Sequence, residues 1–61
     1  MAVNEAVELS MEERGRGRAR LAVVTESRTG ERFVIEIEGP EDEVRAEARY
    51  LSEQYHLPIA V

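Results

Sequence analysis

Phe33, Ile35 and Ile37 alternate with Val34, Glu36 and Glu38. This two-residue period marks a half-buried strand with the large apolar side chains on one face. Such a strand needs a partner, and Ser27-Arg28-Thr29-Gly30 lies immediately upstream. A type I turn followed by a left-handed glycine closes a short hairpin loop with a bulge. Gly30 in that place sets Ser27 opposite Glu31. The register then pairs Thr25 with Phe33, Val23 with Ile35 and Leu21 with Ile37 on one face. Glu26 meets Arg32, Val24 meets Val34 and Arg20 meets Glu38 on the other. Apolar opposes apolar and acid opposes base, as cross-strand energetics favour. A slip of one residue would turn Phe33 and Ile35 to the wrong face.

Glu12-Glu13-Arg14-Gly15 repeats the glycine placement. With Gly15 left-handed, Glu12 opposes Arg16, Ser10 opposes Arg18 and Glu8 opposes Arg20. Met11, Leu9 and Val7 then lie beside Gly17, Ala19 and Leu21. A competing reading coils residues 4–14 into a helix capped by Asn4, since Glu, Ala, Leu and Met are good helix formers. It groups Val3, Val7 and Met11 but puts Leu9 off that face and loses the charge ladder. The strand is the preferred reading.

Val44, Ala48, Leu51 and Tyr55 recur at helical spacing. Pro40 suits the first helical turn, and Glu41, Asp42 and Glu43 lie where the helix dipole favours negative charge. Pro58 ends the helix. The expected class is α+β: a three-stranded antiparallel meander packed on one C-terminal α-helix, in a single domain spanning 1–61. Strands fall at about 3–12, 16–27 and 31–38, the helix at about 40–55 and a tail at 57–61, where Ile59-Ala60-Val61 can add a short fourth strand. The alternative is α-β-β-α with residues 4–14 helical. The helix stripe should bury the inner sheet face, leaving the outer face bare.

The 61 residues include no cysteine, so no disulfide supplements a core that is small for a folded chain. That favours a dimer or a complex. The longest apolar run, Leu21 to Val24, is far below a membrane span. Met1 to Ser10 lacks the pattern of a secretory signal, so a cytoplasmic protein with no membrane contact is expected.

Chemistry has few footholds. His56 is the sole histidine and follows the helix, where a surface role suffices. Glu41, Asp42 and Glu43 point about 100° apart around a helix and cannot converge on a metal ion. The glycines match no phosphate-binding or dinucleotide fingerprint. Tyr55 reads as core and Tyr50 as exposed. No catalytic, cofactor or metal residues are assigned, and no small-molecule substrate or enzyme activity is expected.

Net charge is −5, unevenly spread, and every basic side chain is arginine. Arg14, Arg16, Arg18 and Arg20 alternate with glycine and alanine, but no aromatic residue among them could stack a base. The expected function is a protein-interaction or dimerisation module. Ala22, Val24 and Val34 form its docking strip, and Arg16, Arg18 and Arg20 set register. The partner is a second copy, another protein, or both. Glu36, Glu38, Glu41, Asp42, Glu43 and Glu47 form an acidic band. It suggests an alternative: a phage-type inhibitor or regulator filling the basic groove of a nucleic-acid enzyme. A nucleic-acid-binding regulator using Arg14–Arg20 is the third reading.

Overall fold

The computed structural model of the chain describes residues 5–60. Val3, Asn4 and Val61, which enter the expected strand, cap and tail, lie outside the described residues. Three antiparallel strands, β1 (Glu5–Gly15), β2 (Arg18–Glu26) and β3 (Arg32–Pro40), lead directly into helix α1 (Glu41–Tyr55). A short strand β4 (Ile59–Ala60) follows and pairs parallel to β1 at Leu9 and Ser10, giving the sheet order β3-β2-β1-β4. The α+β architecture is the one the alternation and helical stripe predict, and the helical alternative is excluded over residues 5–14, which are strand. No helix among the described residues is long and apolar enough to cross a membrane.

The second hairpin has the register read from the sequence, from Glu26–Arg32 through Leu21–Ile37. Gly30 adopts φ +88°, its amide donates to the Ser27 carbonyl at 3.0 Å, and Ser27 N–H donates to Glu31 at 2.8 Å.

The first hairpin differs. Gly15 is left-handed as expected, but the turn is the two-residue loop Arg16-Gly17, with φ of 56° and 73°. Positive φ at both central residues defines a type I′ turn, whose twist matches that of the strands it joins. Leu9 therefore opposes Val23, Met11 opposes Leu21 and Glu12 opposes Arg20. The correction moves partners by an even step, so inner residues stay inner. Large side chains now meet large ones across three strands, in the rows Leu9–Val23–Ile35 and Met11–Leu21–Ile37. Val7 sits at a break in the ladder between Ala6 and Glu8, so Ala6 rather than Val7 turns into the core. A second break falls between Glu13 and Gly15.

The core comprises Ala6, Leu9, Met11, Ala19, Leu21 and Val23 from the sheet, with Val44 and Ala48 from α1. No loop separates β3 from α1, so the helix starts against the sheet, and small residues make room for it. Ala19 pairs with Gly39, and a Cβ built on Gly39 would lie 3.7 Å from Val44 Cγ2, an ordinary packing distance. Pro40 offers no side-chain cap. Instead, the Glu41 amide donates to the Gly17 carbonyl at 2.7 Å, so the first turn satisfies one open donor of the helix. Arg45 adds a tether, reaching Glu41 at 2.9 Å and Glu13 of β1 at 2.5 Å.

At the other end, His56 is left-handed at φ 55°, and Leu57 N–H returns to the Ser52 carbonyl at 3.1 Å. This is a Schellman-type stop, where glycine is the usual residue. His56 therefore has a backbone role. Arg16 and His56 each hold a side chain in a region that L-residues adopt at a cost. Arg16→Asn and His56→Gly should each stabilise the fold by about 0.5–1 kcal/mol, read as a higher urea midpoint at unchanged slope.

Candidate interaction surface

Among the described residues, the face of the sheet opposite α1 carries no second layer. Across β1, β2 and β3 it presents the rows Glu8–Val24–Val34, Ser10–Ala22–Glu36 and Glu12–Arg20–Glu38. Arg20 lies between two acids, its guanidinium nitrogens 3.3 Å from both Glu12 and Glu36. Glu38 directly opposes Arg20 in the ladder, yet Glu36 holds the ion pair. Glu12 also bonds Arg14. Hydrogen bonding and charge from Arg14, then charge from Arg20, hold the Glu12 carboxyl below its ordinary range, and Glu12 raises Arg14 in turn. Ser10, Glu12, Arg20, Ala22, Glu36 and Ala60 line an open depression of about 540 Å³ on this face.

The residues singled out in the sequence are only partly brought together. Arg20, Ala22, Val24 and Val34 share the open face, with Val24 and Val34 as direct neighbours. Arg16 sits in the turn, and Arg18 opposes Gly15 and Pro40 at the same end. Neither forms an ion pair among the described residues. The acidic band divides. Glu36 faces Arg20, Glu41 faces Arg45, and Asp42 accepts the Glu43 amide. Glu38, Glu43 and Glu47 surround a second depression of about 430 Å³, floored by Ile37, Gly39 and Val44.

The sequence reading missed the side of β3 facing the helix. Phe33 and Ile35 belong to the inner face, yet they are 50% and 52% exposed, and Val34 on the outer face is 63% exposed. Tyr55, read as core, is 42% exposed; Tyr50 is exposed as expected. Fifteen helical residues span only ~22 Å, against ~30 Å for the nine of β3. The helix must also carry the chain from the β3 edge to β4 on the opposite edge. It therefore crosses the sheet obliquely and leaves Phe33 and Ile35 behind. The apolar run Phe33-Val34-Ile35 thus lies bare on both faces of an edge strand. The clue was present in the short Gly39-Pro40-Glu41 junction and the apolar tail.

No family model, curated protein or solved structure significantly matches this chain.

Glu12 gives the face a pH signature. A carboxyl lowered by folding contributes stability above its unfolded pKa and loses it as pH falls through the folded one. The stability gap between wild type and Glu12→Gln should be constant at neutral pH and close well below 4.5. Paired urea titrations across that range measure it.

Proposed function

We propose that this chain is a non-catalytic protein-interaction module, working through β3 and the adjoining open face. The exposure of Phe33, Val34 and Ile35 on an edge strand that is unpaired among the described residues carries this reading. Isolated exposed apolar residues need no explanation, but three in succession on an edge normally guarded by charge do. Val24 extends the strip onto β2, and the Glu12–Arg20–Glu36 ion pairs beside it supply polar contacts that orient a partner. His56 ends α1 through its left-handed backbone.

A second reading rests on Glu38, Glu43 and Glu47 around one depression: an acidic surface filling a basic groove on another protein. Binding of that kind would weaken steeply with salt and vanish on charge reversal at Glu43 and Glu47. The arginine run supports nucleic-acid binding less well, because Arg14 and Arg20 already engage carboxylates on an acid-rich face.

Co-purification from the native source, with wild type beside Val24→Glu and Ile35→Glu, tests the first reading. A protein retained by wild type and lost by both variants, at unchanged circular dichroism, is the expected result. Equal recovery with all three would overturn it.

A further inference from the structure

Within the reading of this chain as an interaction module, we infer that the occupant of the β3 edge is β3 of a second copy, paired antiparallel about a two-fold axis at Ile35. The two edges of the sheet are built differently. The β1 edge carries β4 at Leu9 and Ser10, and irregular breaks flank that pairing on both sides. Bulges and short added strands are the usual protections of an edge. β3 has neither: its pairing with β2 is unbroken from Arg32 to Pro40.

The backbone fixes which groups are free. Ser27 and Glu31 form a hydrogen-bonded pair, and such pairs alternate along an antiparallel ladder. Odd-numbered residues of β3 therefore bond to β2. Arg32, Val34, Glu36 and Glu38 turn their amides and carbonyls to the open edge. A second strand must match these even residues with its own, which rejects every register pairing even with odd.

Charge and overlap select among the rest. With Ile35 on the axis, Arg32 of each copy faces Glu38 of the other, and Val34 faces Glu36. On the helix side, Ile35 meets Ile35 and Phe33 meets Ile37. Glu38 has no ion pair within its own chain among the described residues. Phe33 of the second copy comes beside the depression floored by Ile37, Gly39 and Val44. Glu31 of that copy faces Gly39, which offers no like charge. Shifting the axis to Glu36 sets two glutamates directly against each other, which is destabilising. Shifting it to Val34 gives two Arg32–Glu36 pairs but shortens the overlap from Arg32–Glu38 to Arg32–Glu36. The Ile35 and Val34 registers both cover the bare inner residues and both pair opposite charges twice, but the Ile35 register alone keeps the longer overlap and engages Glu38. The contact is isologous, so it closes on itself.

Light scattering and sedimentation over a range of concentrations test this, together with a charge exchange. Wild type should reach twice the chain mass. Arg32→Glu and Glu38→Arg should each raise the dimer dissociation constant by ~10-fold or more, and the double variant should restore it. Hydrogen exchange supplies the geometric readout: the Val34 and Glu36 amides should gain protection as dimer forms. A wild type that stays monomeric, a dimer indifferent to both single changes, or unprotected Val34 and Glu36 amides would overturn the pairing. Val24→Glu keeps the two ideas apart, since Val24 lies on β2 away from the paired edge. If wild type is monomeric yet binds another protein through Val24, self-pairing falls and the interaction reading stands.

Discussion

The junction at Pro40–Glu41 governs this molecule. With no loop between β3 and α1, the helix must begin where the strand ends. Its first turn then packs directly on the end of the sheet, where Gly39 lies beside Val44 and Ala19 pairs with Gly39. The same junction denies the helix an ordinary polar cap, and the Gly17 carbonyl takes over that task. Two turns far apart in sequence are thereby joined: the reversal at Arg16-Gly17 sets the register of β1 and anchors α1. Because β4 must then be delivered to the opposite edge, the helix runs obliquely, and the uncovered end of β3 follows from connectivity alone.

Much of this was legible in the residues. The alternation over Phe33–Glu38 and the left-handed Gly30 determine the second hairpin, because local turn chemistry and cross-strand pairing agree. The helical stripe determines α1. The first hairpin was harder, because Gly15 and Gly17 each offer a sensible left-handed position and both take it. Arginine at the first centre of a type I′ turn is atypical, so local turn chemistry does not point to the shorter loop. The decision came from tertiary packing: the shorter loop aligns Leu9 and Met11 with the large residues of β2 and β3.

The exposed surface was less legible, for a different reason. Periodicity reports which face of a strand a residue occupies, not whether anything lies over that face. Phe33 and Ile35 obey the core pattern and are still half exposed. Coverage depends on helix length and direction, which only the whole topology supplies. Likewise, the acids from Glu36 to Glu47 are one run in sequence but three groups in space, since a strand, a helix start and a helix flank point them apart.

The unequal treatment of the two sheet edges would also limit the size of any assembly built through β3. A particle with two receptive borders adds neighbours without end and grows into fibres. Here one border is interrupted by irregular ladder positions and closed in part by the tail, and the other is straight. Growth through backbone pairing would therefore terminate after a single addition. In an assembly paired through β3, the few residues of β4 would act as a chain stop on polymerisation as well as a small addition to the core.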